Sequence, residues 1–346
     1  MKKNLLYLAI LIVLCLIGYF AYYISNSENV DPEKDFAIHE PEEVHKIIIK
    51  EKSMREVVLE KKEGVWYVNN NYEASEIRIK AMLEVLQKLQ VEFNVSDNAR
   101  KNVIENLALS AVKTSFYNED GDEIKSIYIG QGGSNVQGTY MILERDKKIA
   151  SNPYIVNVPG FQGALNYRFT ADSVLWRNTQ IFSTPFDRIS KVRVEYFEDP
   201  TGSFEMNVNE ELVQINPIHD SLVNKNEINE QKVTSFLAEF ENKHLEYYVF
   251  NDTNLTKALA KPPYCKISCV DYDQKATEVT LYRMPINDRT HVQYDANNKP
   301  IEYDLERYYA TFGKRKDFVS VQYYVFGALL KKYNSFFKTK SDSASK

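Results

Sequence analysis

Apolar and polar positions alternate along this chain in two registers, separated by turns, with one uninterrupted apolar run at the start. From Asn4 to Ile24 there is neither charge nor proline over 21 residues. At ~1.5 Å per residue, a helix of that length crosses a ~30 Å hydrocarbon layer. Residues 4–24 are therefore expected to form a single-pass transmembrane helix and to give the chain its membrane contact. Lys2 and Lys3 place the N-terminus on the cytoplasmic side, which puts the body in the extracytoplasmic (periplasmic) space. A cleaved signal would have a shorter apolar core ending in small residues, and Leu14 stands before Cys15 where a lipidation site needs a small residue. Residues 25–35 read as a polar tether.

Beyond the tether, the pattern occurs twice. Val44–Lys50 and Ile189–Glu195 alternate alike at an offset of 145, which marks equivalent strands. Val57, Leu59 and Asn69 fall on Phe204, Met206 and Asn216 at an offset of 147. Ser75-Glu-Ile77 aligns with Asn226-Glu-Ile228, each an N-cap before an apolar stripe at helical spacing. Val112–Tyr117 aligns with Ile267–Tyr272, Tyr128 with Tyr282, and Ile155–Val158 with Phe318–Val321. Gly163-Ala-Leu165 aligns with Gly327-Ala-Leu329.

The fold expected is α+β, with two tandem repeats of an antiparallel sheet carrying helices on one face. The first repeat spans 36–168 and the second 189–337. Residues 169–188 join them, and the tail 338–346, rich in Ser and Lys, is expected to be disordered. Trp176 and Arg177 of the joining segment are placed to pack the two units together. Trp66 lies in an alternating strand and reads as core. Tyr323, Phe326, Leu329, Leu330, Tyr333, Phe336 and Phe337 read as a C-terminal amphipathic helix docked on its own unit.

These patterns carry a resemblance. Val57-Val-Leu59, Gly64-Val-Trp-Tyr-Val-Asn69, Tyr72-Glu-Ala74, Gly138-Thr-Tyr140, Ile155-Val-Asn-Val158 and Ser173-Val-Leu-Trp-Arg177 together resemble the bacterial family catalogued as domain-of-unknown-function 4340. The resemblance implies a membrane-anchored envelope protein and supplies no catalytic residue. Related domains resemble auxiliary parts of ABC-type exporters of the gliding-motility kind, but this chain has one apolar span and no permease or nucleotide-binding region.

Composition narrows the function further. Apolar residues make up 44% and aromatic residues 13%, so the body folds. A net charge of −5 argues against a nucleic-acid partner, which needs a clustered positive surface. Cys265 and Cys269 lie ~13 Å apart on one strand face, beyond the ~7 Å limit of a disulfide. The five histidines lack ligand spacing, so no metal is expected. No cofactor is expected either.

Candidate contacts are few. The glycine-rich loop Ile129–Gly138 lacks the Lys-Ser/Thr of a phosphate-binding loop and reads as a hairpin connection. The second repeat replaces it with an acidic insert, Pro285–Glu306, in which Tyr294 and Tyr303 stand among Asp288, Asp295, Glu302 and Asp304. Basic clusters Arg145, Lys147, Lys148 and Lys314, Arg315, Lys316 occupy equivalent hairpin tips, suited to anionic headgroups or an acidic partner. Neither a Gly-x-Ser-x-Gly elbow nor a His-Glu-x-x-His helix occurs, and the carboxylates Asp120/Asp122 and Glu119/Glu123 lie in a solvated turn. No catalytic residue is assigned. The expected function is a non-enzymatic accessory, scaffold or binding protein of an envelope transport or export complex, with protein partners. The alternatives are an envelope enzyme acting on glycan or lipid, or a ligand-binding module, each using the cleft between repeats.

Overall fold

The computed structural model describes residues 12–13, 15–18, 31–132, 138–209, 212–219, 223–313 and 317–339. Two compact units meet at the Asn178/Thr179 peptide bond. The first contains β1 (Lys46–Lys50), β2 (Glu56–Lys62), β3 (Val65–Val68), β4 (Tyr72–Glu73), α1 (Glu76–Gln87), β5 (Gln90–Asn94), α2 (Asp97–Ser110), β6 (Val112–Tyr117), β7 (Glu123–Gly132), β8 (Thr139–Arg145), β9 (Lys148–Ile149) and β10 (Tyr154–Asn157). Its sheet runs β4-β3-β2-β1-β6-β7-β8-β10-β5, with β9 folded back on β8.

The second unit contains β11 (Gln180–Phe182), β12 (Ile189–Tyr196), β13 (Phe204–Val208), β14 (Val213–Pro217), α3 (Glu230–Ala238), β15 (Lys243–His244), β16 (Tyr247–Tyr248), α4 (Thr253–Leu259), β17 (Cys265–Asp271), β18 (Ala276–Pro285), β19 (Tyr303–Phe312), β20 (Asp317–Gln322) and α5 (Tyr323–Phe326). Its main sheet runs β14-β13-β12-β17-β18-β19-β20-β16, and β11 pairs separately with β15. Apart from β4 and β9, the two large sheets repeat one strand order.

Three expectations change. The chain is mostly antiparallel β-sheet, in three sheets among the described residues, with few helices, rather than α+β with helices on one face. Each large sheet has an apolar surface on both sides. Met141 and Leu143 join the α1 core, whereas Ile142, between them, packs under α2. Tyr308 and Ala310 likewise join the α3 core, and Tyr309 faces α4. Successive strand residues point to opposite faces, so one strand serves two layers. Gly130 permits the close approach of α2: a Cβ there would lie 2.5 Å from Leu107 Cδ2.

Among the described residues no helix is long and apolar enough to cross a membrane. Ile12, Val13 and Cys15–Gly18 are helical. The rest of residues 4–24 lies outside the described residues, as do residues 25–30 of the tether and 340–346 of the tail. The single-pass anchor is therefore not supported, and the cytoplasmic-membrane localisation and periplasmic body that rested on it are withdrawn.

The C-terminal aromatic stretch is not one amphipathic helix. α5 gives way to a 3-10 turn at Gly327–Leu329 and a second at Tyr333–Phe336. Leu329, Tyr333, Phe336 and Phe337 are nevertheless all buried in the core, with the Phe336 ring centroid 4.9 Å from that of Phe204. Lys338 is ordered, its N–H bonded to the Glu227 carbonyl at 2.8 Å.

Candidate functional site

The acidic insert is a structured hairpin fixed to the sheet by buried polar groups. Asp304, whose side chain is 0% exposed, accepts hydrogen bonds from the Thr290 hydroxyl at 2.8 Å and from the Glu306 and Arg307 amides at 2.7 and 3.1 Å. At its outer end Ile301 N–H meets the Gln293 carbonyl and Tyr294 bridges Pro300. A buried carboxylate is tolerated only when its oxygens are hydrogen-bonded, and here Oδ2 accepts from Thr290 and Oδ1 from the two amides.

Beside Asp304 lies Arg307 on β19. Its Nε bonds both Glu246 oxygens at 3.2 and 3.1 Å, and its Nη1 bonds Glu306 at 3.2 Å. Ser320 and Gln322 of β20 complete the shell of Glu246 at 2.8 and 3.2 Å. Burial opposes the Arg307 charge, but its hydrogen bonds to Glu246 and the fields of Glu246, Asp304 and Glu306 outweigh it and hold the guanidinium protonated. His291 Nδ1 lies 2.8 Å from Glu306, and that contact holds the Glu306 carboxyl below the usual range.

Next to this network is a groove of about 740 Å³, lined by His291, Leu305–Arg307, Tyr323, Tyr324 and Lys331 among others. Tyr324 is 94% exposed, Leu305 57% and Tyr323 50%. The apolar rim is exposed while the charges behind it are paired. An aromatic row leads away from Tyr323: Tyr308 lies 6.4 Å from it, Tyr264 stacks on Tyr308 at 5.3 Å, and the Arg283 guanidinium sits 4.3 Å from the Tyr264 ring. Arg283 in turn is 5.5 Å from Tyr303 and bonded to Glu198.

Of the residues singled out from sequence, Tyr303 belongs to this row, with its hydroxyl bonded to Lys261 at 2.6 Å. Tyr294 stands at the exposed outer end of the insert. Arg145 bonds Asp35 at 3.3 Å beside the buried Lys125, while Lys147 and Lys148 are exposed at the turn. Lys314, Arg315 and Lys316 lie outside the described residues, as do residues 133–137 of the glycine-rich loop. Arg145, Lys147 and Lys148 belong to the first unit and the insert to the second.

Trp176 and Arg177 are used within the first unit. Trp176 is buried in its core and donates from Nε1 to the Thr170 carbonyl at 2.8 Å. The Arg177 guanidinium lies 3.5 Å over the Tyr72 ring. Residues 169–178 therefore complete the first unit, and 179–188 open the second.

Sequence reasoning overlooked His291, Glu246 and Arg307, which are far apart or differently placed in the chain. It read Tyr323 as core and passed over Tyr324. The adjacent Tyr323-Tyr324 pair breaks the alternation of the preceding strand and was the available signal. Among the described residues no group of acidic, His and Cys side chains is arranged to hold a metal. No family model, curated protein or solved structure matches this chain, so no activity is carried over from a relative.

Proposed function

We propose that this chain is a non-catalytic binding protein that recognises a partner protein through the groove beside the insert of the second unit. One observation carries this reading: Arg307 and Glu306 are held in fixed ion pairs, whereas Tyr323, Tyr324 and Leu305 stand exposed around the opening. Paired charges favour positioning over chemistry, and exposed tyrosines offer large contact area at low entropic cost.

The test is site-specific photocrosslinking from position 324 in the native host, with position 167, an exposed tyrosine of the first unit, as control. A discrete product at 324 that disappears with Leu305→Asp supports recognition at the groove. A product pattern indifferent to Leu305→Asp overturns it. An enzymatic reading draws on the His291–Glu306 pair alone; hydrolysis of a glycan or ester panel, abolished by His291→Ala, would replace the binding reading.

A further inference from the structure

The two units differ at one sheet edge. In the first, β3 is covered by β4: Val68 pairs with Tyr72 and Tyr67 with Glu73. Just beyond, the Ala74 N–H reaches the Trp66 carbonyl at 2.8 Å, and Ala74 bridges Arg177. The edge is closed by the chain itself.

In the second unit, Ile215 faces Met206 as Val68 faces Leu59, so Ile215 and Val213 correspond to Val68 and Trp66. Ile228 bridges Phe337 as Ala74 bridges Arg177, so Ile228 corresponds to Ala74. Yet β14 pairs with β13 alone, and no hydrogen bond joins Ile228 N–H to Val213 among the described residues. Among the described residues no strand pairs with the outward backbone groups of Val213 and Ile215. Between this edge and Ile228 lies a groove of about 570 Å³, lined by Leu212, Val213, Ile228 and Val233, with Glu227 and Glu230 at its margin.

We propose that this edge is a strand-addition site: β14 accepts an extended polypeptide segment of a partner in the place that β4 fills in the first unit. Backbone N–H and C=O groups of Val213 and Ile215 pair with the segment, and one aromatic or aliphatic side chain of it fills the space between Val213, Ile228 and Val233. An unpaired edge is a ready template for such pairing, with backbone bonds giving affinity and the flanking pocket giving choice of side chain. Glu227 pairs with Lys338 at 2.6 Å, and Glu230 beside them keeps the described margin acidic, which favours a segment with a basic residue beside its apolar one. This site is separate from the tyrosine groove.

The first unit supplies the probe. A fluorescent peptide with the sequence of residues 69–76, which includes the strand covering the equivalent edge, is titrated into the full chain alongside its Glu73→Lys variant. Binding is read by anisotropy, and the site by amide hydrogen exchange. The expected result is saturable binding, several-fold tighter for the Lys variant, with new protection at Val213 and Ile215. Val213→Pro in the protein removes an outward donor at the first residue of an edge strand, where proline is tolerated. It should weaken binding at least tenfold while the protection of α3 stays unchanged. Leu212→Glu, at an exposed position, serves as a second variant and should also weaken binding. Absence of binding, binding without protection at 213–215, or affinity unchanged by both variants overturns strand addition. Protection at Val213 that rises with protein concentration in the absence of peptide also overturns it, because the occupant is then a second copy of the chain.

Discussion

The backbone N–H of Asn229 donates to the carbonyl of Phe336 at 2.8 Å, tying the start of α3 to the end of its own unit. The first unit makes the same closure from Ser75 to Trp176 at 2.7 Å. The next residue pairs repeat it too: Lys338 N–H meets Glu227, and Asn178 N–H meets Glu73. Each unit is thus closed by its own last strand-like segment.

The two closures are capped unequally. Asn229 accepts the Lys232 amide on its side chain at 3.2 Å, whereas Ser75 makes no side-chain cap. Asn229→Ala should therefore cost about 1 kcal/mol and Ser75→Ala clearly less. Chemical denaturation of the two variants, followed by exchange at α1 and α3, checks the difference.

Asp304 holds the insert. Asp304→Ala leaves the Thr290 hydroxyl and two amides without their acceptor and should cost about 3 kcal/mol. Amide exchange should rise across 287–307 while α3 stays protected. Unchanged exchange in the insert would show that other contacts fix it.

Tyr324 makes no comparable structural contribution. At 94% exposure, Tyr324→Ala should shift stability by less than about 0.5 kcal/mol while abolishing the photocrosslinked product obtained from neighbouring position 305. A large fall in thermal midpoint would instead assign Tyr324 to the fold.

The buried thiols should be inert and should make the second unit sensitive to alkali. Burial pushes the Cys269 thiol up to about 12 and raises Cys265 likewise. In the unfolded chain a thiol ionises near ~8.5. A folded value above the unfolded one gives stability that is whole below ~8.5 and is lost as pH rises from there towards about 12. With Cys15 replaced by Ser, a thiol reagent should label the folded protein negligibly and both cysteines after denaturation. Unfolding free energy should fall between pH 9 and 11 less steeply in Cys269→Ala, relative to its own neutral-pH value.

Legibility of the fold stopped at register. Alternation aligned Leu59 with Met206 and Val57 with Phe204, and the cross-strand partners agree: Leu59 faces Ile47 and Met206 faces Val192. For the next strand it aligned Val112–Tyr117 with Ile267–Tyr272, two residues adrift. Phe116 and Cys269 are the residues that face Ile47 and Val192. A slip of two preserves which face each side chain occupies, so a period-2 pattern cannot detect it. The helix cap was displaced by three, from Asn229 to Asn226, because Asn and Glu recur together at both places.

The candidate site was legible only as a location. Pro285–Glu306 stood out because it interrupts the repeat, and Tyr303 within it does reach the aromatic row. That Glu246 would neutralise Arg307, or that Tyr324 would be left bare, depends on strands β16, β19 and β20 lying side by side. By itself, the sequence determined the long alternating strands such as Lys46–Lys50 and Ile189–Tyr196, which of their faces are apolar, and that the pattern recurs, since these follow from local side-chain periodicity. Tertiary structure alone decided the mostly β architecture with both sheet faces covered, the closing of the first unit by Trp176, the pairing of Glu306 with His291 and Arg307, and the edge of β14 that no strand covers among the described residues. Each of these depends on contacts between residues distant in the chain, and no local period encodes them.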